Sequence, residues 1–417
     1  MANSINFTDW LSMEALRILQ NKCVMAEYFN TDYNKEFERE YAVGETVRVP
    51  IPQRWLIRDG LAYSEQPINR IFTTVACDQV IGIDFGYDSV EEALKLERSR
   101  EQISKQYLEP VMIQLAQEID SRCANFAMLN TNNIVGQLGT NPVTLSPYGI
   151  ARQRLVENAC PPGEKAMIIS PGMMEAITDS TTSPAPATFF HPGDEVKRAF
   201  KEGYYERAKG FDWYESMSLY SQTAGTWAGA VTVAAGGAVT NGGTLLNVAC
   251  TNGDTFNAGD VFNIALVNNA NPVTRRTTGT LKQFVVQISV TGASSAAALT
   301  FLPAINGPGS QYQNVDALPV VGQALTLFPG TTSPNGKTGI NGLALHRDAF
   351  SLVGVKLKNP KAVEIATQAR DPISGLSIAM VKAFDPIGRR MIHRWDCLFG
   401  FGALYSDNCA VRVLSQT

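Results

Sequence analysis

Apolar positions along the first 130 residues switch between two periods. Over 8–23 they cluster on one helical side (Trp10, Leu11, Ala15, Leu16, Ile18, Leu19), with Thr8 placed to cap the helix. Over 44–52 (GETVRVPIP) they alternate as in a strand that ends at Pro50 and Pro52. A second alternating run, 71–85 (IFTTVACDQVIGIDF), predicts a long strand. Between them, 53–70 (QRWLIRDGLAYSEQPINR) reads as a polar, turn-rich excursion with Asp59-Gly60 at a turn, so the three pieces predict an extended, projecting hairpin. Ser89-Val90-Glu91-Glu92 has the spacing of a capping box and opens a short helix. Ile103, Tyr107, Leu108, Val111, Met112, Leu115, Ile119, Cys123, Phe126 and Ala127 then recur at gaps of three and four. They predict a helix over 101–129, roughly 43 Å long at 1.5 Å per residue, kinked or restarted at Pro110.

From 133 to 222 the pattern is mixed. It predicts a helix near 149–158, a strand at 166–170, a helix starting at Pro171, a Ser/Thr/Pro-rich loop at 179–188, a helix at 193–202 and an aromatic strand within 210–220. Charge then almost disappears. Between Thr223 and Ile340 only Asp254, Asp260, Arg275, Arg276, Lys282, Asp316 and Lys337 are charged, while Gly, Ala, Thr, Asn and Val dominate. Short runs such as VFNIALV, KQFVVQISV and AALTFLP between turn signals predict a small all-β domain, a barrel or a sandwich. Strand patterns with ordinary charge resume in NGLALHRDAF, LSIAMVKAF and MIHRWDCLFGFGALY, two of them joined by a turn at Asp385-Pro386-Ile387-Gly388. The simplest architecture is one α/β domain split by a β insertion.

Composition narrows the function. The 417-residue chain has a formal net charge of -4, with no run of five basic residues, so it lacks the cationic excess that phosphate binding requires. The N-terminus does not read as a signal peptide, and no apolar run is long enough to span a bilayer, so no membrane is expected. Seven scattered cysteines without C-x-x-C spacing argue against a disulfide framework and against structural zinc, and suit a reducing site of folding. His191, His346 and His393 lie far apart in sequence and read as structural. Gly330 to Thr338 approaches a phosphate-binding loop but has five residues between its glycines, and Pro334 removes a donor, so it reads as a turn. Asp371 and Asp385 precede prolines as in ordinary turns, and Arg275-Arg276 and Arg389-Arg390 read as solvated surface. No constellation for catalysis, metal or cofactor emerges, and no enzyme is expected.

Several segments together resemble the coat proteins of short-tailed phages of enteric bacteria. FNAGDVFNIALVNNANP (256–272), LKQFVVQISV (281–290) and LTFLPAI (299–305) are similar to the strands of that family's inserted domain. GFDWYES before them and NGLALHRDAFSLVGVKL after them sit where the family re-enters its core. QYLEPVMIQLAQEIDSRCANFAML (106–129) resembles its spine helix, and HRWDCLFGFGALYSDNCAVRVL (393–414), with Arg394, Asp396 and Gly400, its closing strands. The resemblance implies an α+β, Hong Kong 97-type capsid fold with an inserted all-β barrel. Its parts would be an N-terminal arm (1–40), an extended-loop hairpin (41–87), a peripheral domain with the spine helix (88–132), a discontinuous axial domain (133–222 and 341–417) and the insertion (223–340). It implies a major capsid protein of the virion, assembled in the host cytoplasm as hexamers and pentamers with a scaffolding protein and a portal, around double-stranded DNA that it does not bind specifically. Arg54, Arg58, Asp59, Glu65 and Arg70 in the extended loop are the candidates for contact between subunits. The loop tip has no lysine, so contacts would be non-covalent. A nanocompartment (encapsulin-like) shell is the alternative, and a surface-binding β module is a further one, for which the insertion offers few aromatics (Trp227, Tyr312).

Overall fold

The computed structural model describes residues 7–20, 23–33, 46–58, 60–61, 63, 65–68, 71–88, 108–178, 205–227, 229–237, 239–328, 335–357, 365–371, 375–387 and 390–416. The capping box at 89–92, the start of the long helix at 101–107, the loop at 179–188, the helix at 193–202 and most of the glycine loop at 330–336 lie outside these residues. The chain divides into two compact units, the first formed by Met1–Val49, Phe72–Cys123 and Phe350–Leu404, the second by Pro50–Ile71, Ala124–Ala349 and Tyr405–Thr417.

The first unit is built on a six-stranded antiparallel sheet. Its strands are β1 (Thr46–Ile51), β2 (Ile71–Asp88), β17 (Phe350–Val355), β18 (Ile365–Arg370), β19 (Ser377–Asp385) and β20 (Arg390–Ala403), in the order β1-β2-β20-β19-β18, with β17 also on β20. Intervening strands belong to the second unit. β20 organises the sheet: β2 pairs along one edge, while β19 pairs with its first half and β17 with its second. Alternation explains which face is core, since Trp395, Cys397 and Phe399 are each fully buried. On the other face Arg394 reaches Asp396, two residues on, at 2.6 Å. Helix α1 (Phe7–Gln20) lies against β18 and β19 and buries Ala15, Ile18 and Leu19. It begins one residue before Thr8, which is therefore a helical residue and not the cap expected from sequence.

Helix α2 (Glu109–Asn130) supplies its residues up to Cys123 to this unit. Pro110 lies near the start of the described part of this helix, after a π-helical Leu108; the expected kink or restart there involves 101–107, outside the described residues. Met112, Leu115, Ala116, Ile119 and Cys123 form its buried stripe. Asp120, also buried, accepts hydrogen bonds from the backbone N–H groups of Val24 (2.7 Å) and Ala26 (3.2 Å), which fastens the short helical turn Ala26–Tyr28. Phe29, next along, stacks on Phe350 with ring centroids 5.3 Å apart.

The second unit holds a seven-stranded mixed sheet and a barrel. The sheet comprises β3 (Ile134–Gly136), β4 (Lys165–Ile169), β5 (Arg207–Ala208), β6 (Phe211–Glu215), β7 (Ser221–Thr223), β16 (Thr338–His346) and β21 (Ala410–Leu414), in the order β3-β21-β16-β4-β6-β5, with β7 on β16. Helix α3 (Ser146–Glu157) packs on β3 and β21 through Tyr148, Ala151 and Leu155, and α4 (Pro171–Thr178) adds Met173, Met174 and Ile177 to the same core. Trp213 of β6 fills the centre, with Tyr148 at 4.8 Å and Tyr205 at 6.1 Å between ring centroids, and its indole N–H donates to the Ala208 carbonyl at 3.0 Å.

The nearly uncharged segment forms β8 (Val231–Val233), β9 (Gly243–Ala249), β10 (Thr255–Phe256), β11 (Val261–Ala270), β12 (Thr277–Val286), β13 (Val290–Thr291), β14 (Ala296–Ile305) and β15 (Ala324–Leu327). Strands β11-β12-β14-β9-β8-β15 close a barrel, while β10 and β13 pair separately. A triangle of Phe262, Phe284 and Phe301, with centroids 5.3–6.0 Å apart, fills the barrel, and Leu246, Val248, Ile264, Val286 and Leu299 pack with it. A small closed barrel has room for apolar side chains alone, which is why charge is scarce there.

The expected axial segment 341–417 does not stay together. β16 and β21 join the second unit, but 350–404 belongs to the first, because β20 pairs with β2 some 300 residues earlier.

Two outcomes are expected. A Cβ at Gly400 would collide with the Ala76 carbonyl where β2 bulges, so Gly400→Ala lowers stability by about 1–3 kcal/mol in chemical denaturation. Burial, with Lys382 opposite, holds the His393 imidazole down at about 4, below its usual 6.5. The unfolded chain therefore takes up this proton first on acidification, and the stability that neutral His393 provides above pH 6.5 is lost as pH falls to about 4. Asp120, raised to about 6 by burial, has the opposite slope. The stability difference between wild type and His393→Gln should thus move in favour of the variant as pH falls from 6.5 to 4, and a pH-independent difference contradicts this.

Candidate functional site

Two regions of the second unit carry side chains that its own hydrophobic core does not account for. The first is the loop between β1 and β2. Gln66 draws the two arms of the loop together, accepting from the Leu56 N–H at 2.8 Å and donating to the Leu56 carbonyl at 2.6 Å, as a strand partner would. Gln53 donates to the Pro67 carbonyl at 2.8 Å and Arg58 to the Gly60 carbonyl at 2.9 Å. The loop is also tied to the barrel: Arg275 donates to the Trp55 carbonyl at 2.8 Å and to the Gln311 carbonyl at 3.3 Å, and Gln311 reaches the Pro67 carbonyl at 3.4 Å. Arg275 is thus a post for the loop and not the solvated residue its sequence context suggested.

What the loop presents is apolar. Ile57 (92%), Leu61 (97%), Tyr63 (83%) and Ile68 (76%) are almost wholly exposed, and Trp55 is half-exposed. Of the loop candidates, Arg58 and Glu65 are exposed, Arg54 is half-buried, and Asp59 and Arg70 lie outside the described residues. Sequence reasoning singled out the charges and missed the five apolar residues between them. Strand-like apolar residues in a segment too turn-rich to bury them were the available signal.

The second region is where the chain leaves the sheet for the barrel and returns. β7 and β16 pair antiparallel, Thr223 opposite Thr338 and Gln222 opposite Gly339, so the outgoing and incoming chains run side by side. Arg412 of β21 lies beside this stem, wholly buried. It donates to the Gln222 side-chain oxygen at 3.1 Å and to the Gly259 carbonyl at 2.9 Å. Asp260, equally buried, accepts from Gln222 Nε2 (3.0 Å), the Gly225 N–H (2.9 Å) and the Asn257 N–H (2.8 Å). Burial pulls Arg412 down to about 9 and pushes Asp260 up to about 6, each opposed by the other's charge, so both remain ionised at neutral pH. A cavity of about 10 Å³ lined by Gln222, Asp260 and Arg412 adjoins them, room for a single water.

Further stitches surround this node. Lys282 of the barrel meets Asp407 at 2.8 Å, and Asn132 joins Asp407 to the Gln283 carbonyl. Gln283 exchanges two hydrogen bonds with the backbone of Ile134, and Asn269 and Asn271 reach Asn158 and the Glu157 carbonyl. Of the few charges of this segment, Asp260, Lys282 and Arg275 thus serve attachment, while Arg276 and Lys337 are exposed.

The Arg412 stem lies at one end of β11, and the loop with its exposed apolar residues is tied to Arg275 past the other end. Comparison with known proteins says what carries them. The family model described as P22 coat protein, gene protein 5, matches residues 3–411. The chain belongs to the P22 coat protein family. It is a phage major capsid protein, a subunit of the head shell. Among solved structures, a chain of Mycobacterium phage Che8 is similar over 94% of this coat protein and 90% of its own length, with 13% identity and a TM-score of 0.48. The capsid of cyanophage P-SCSP1u is similar over 91% and 85%, with 12% identity and a TM-score of 0.42. The CUS-3 coat protein I-domain matches 24% of this chain over 95% of its own, with 23% identity and a TM-score of 0.19. No curated protein matches. Among the described residues, no helix of the coat protein is long and apolar enough to cross a membrane.

Asp260 is the buried counter-charge to Arg412, joined to it through Gln222, and removing it leaves the guanidinium uncompensated. Asp260→Ala should therefore cost the coat protein about 3–5 kcal/mol in urea unfolding, with Asp260→Asn milder. A loss below about 0.5 kcal/mol would show that the node is not structural.

Proposed function

We propose that copies of this coat protein meet through the 52–70 loop to form the hexamers and pentamers of an icosahedral shell. The observation that carries this reading is the set of exposed side chains Ile57, Leu61, Tyr63, Ile68 and Trp55 on a loop braced by Gln66 and Arg275. A projecting apolar patch on a braced loop costs solubility unless another surface covers it, and a second copy is the partner a shell provides. Arg54, Arg58 and Glu65 then form a polar rim that sets orientation, as rims do around apolar interface centres, and Asp59 and Arg70, outside the described residues, remain contact candidates by sequence alone.

In this reading the shell assembles in the host cytoplasm with a scaffolding protein and a portal, as part of a short-tailed phage. A formal charge of -4 suits a wall that encloses double-stranded DNA without gripping it. Residues 223–340 act as an inserted domain whose barrel closes on its own strands and steadies the sheet through the Arg412 node. No catalytic role is assigned. An encapsulin-like nanocompartment is not favoured, because the family match is to a phage coat protein.

The double variant Ile57→Asp, Leu61→Asp tests the loop. Its circular dichroism and melting should match wild type, since neither side chain is buried, while shells formed with co-expressed scaffold should fall at least tenfold by sedimentation and negative-stain imaging. Shells at wild-type yield would overturn the reading.

A further inference from the structure

Three soft ligand atoms that are remote in sequence converge in the second unit. Cys160 follows α3, His346 ends β16, and Cys409 closes the helical turn Ser406–Cys409. The two thiol sulfurs and an imidazole nitrogen lie within 4.8 Å of one another. His346 and Cys409 are buried and Cys160 is half-buried. The backbone holds each in place: the Cys160 N–H donates to the Leu155 carbonyl at 2.9 Å and the Cys409 N–H to the Tyr405 carbonyl at 2.9 Å, while Pro161 and Pro162 stiffen the turn after Cys160. Gly163 ends that turn against the imidazole, and a Cβ there would sit 2.7 Å from His346 Nε2. Only glycine lets the ring approach the Cys160 turn so closely.

We infer that Cys160, His346 and Cys409 form a binding site for one soft divalent cation, of which zinc is the type that fits. Two sulfurs and one imidazole nitrogen are a zinc donor set, with a water in the fourth position reached past the half-exposed Cys160. Zinc bonds of about 2.3 Å to sulfur and 2.0–2.1 Å to nitrogen put tetrahedral neighbours about 3.5–3.8 Å apart, so closure from separations of up to 4.8 Å needs at most about 1.3 Å. In the unbound site His346 Nδ1 accepts from the Asp348 N–H at 3.3 Å. Binding a metal through Nε2 moves the ring proton to Nδ1, which gives up that bond and turns to the Asp348 carboxylate 3.6 Å away. Binding releases the two thiol protons, involves no change of oxidation state, and leaves two thiolates neutralising the dication. Lys165, opposite His346 in the sheet, favours the thiolate pair. The ion clips together the end of α3, the end of β16 and the turn before β21, next to Asp407 and its bonds to the barrel.

The test is to titrate the full-length reduced subunit with cobalt(II), a coloured stand-in for zinc. One cobalt per chain should bind, with a thiolate-to-cobalt charge-transfer band that zinc abolishes. Cys160→Ser and His346→Gln should each weaken binding at least tenfold, with far-ultraviolet spectra unchanged for Cys160→Ser. Independently of any variant, zinc should slow alkylation of Cys160 in the wild-type chain at least tenfold, and a chelator should restore it. No thiolate band in the wild-type protein, an undiminished band in Cys160→Ser, or a Cys160–Cys409 disulfide in protein handled without oxidant would each overturn the inference.

Discussion

Arg412 carries a full guanidinium buried away from the surface, and it sits beside the point where the chain leaves the sheet and comes back to it. A buried cation is tolerable only when it is held by acceptors and a counter-charge. Gln222 comes from the outgoing strand, and Gly259 and Asp260 from the turn into β11. Satisfying one side chain therefore fixes the stem and the barrel's first long strand together. The barrel in turn holds Arg275 against the Trp55 carbonyl, so the presentation of the exposed loop depends on how the barrel is seated. One buried cation, linked to its counter-charge through Gln222, thus joins the stem to the start of the barrel.

The first unit solves a different problem. Among its described residues the sheet shows no buried ion pair, and it relies on the length of β20, which serves β2 on one edge and β19 and β17 on the other. Close approach at Gly400 and apolar alternation along Trp395, Cys397 and Phe399 set its register. Asp120 ties the chain after α1 to α2 with backbone hydrogen bonds in place of a salt bridge.

Much of this was legible in the residues. Helical and alternating patterns locate α1, the C-terminal end of α2, β1, β2 and the strands around Trp213 and Trp395 to within a few positions, because each has one face that must be buried. The loss of charge after Thr223 marks the barrel, because its interior admits no ion. Long-range pairing was not legible. Nothing local assigns 350–404 to the unit containing β2, since periodicity specifies a strand's faces but not its neighbours. Arg412 sits in AVRVL as an ordinary alternating charge, and its acceptors lie 190 and 153 residues away. Cys160, His346 and Cys409 lack any metal-ligand spacing, because three separate elements deliver them. The loop's charged residues attracted attention first, although its exposed apolar side chains carry the stronger argument for assembly.

The central claim is that the braced apolar loop is what this coat protein offers to its neighbours. Hydroxyl-radical footprinting of Trp55 and Tyr63, compared between free subunits and assembled shells, tests it most directly. The account predicts that modification of both side chains falls at least fivefold on assembly while that of exposed Phe384, outside the loop, changes less. Equal reactivity of Trp55 and Tyr63 in the two states would contradict it.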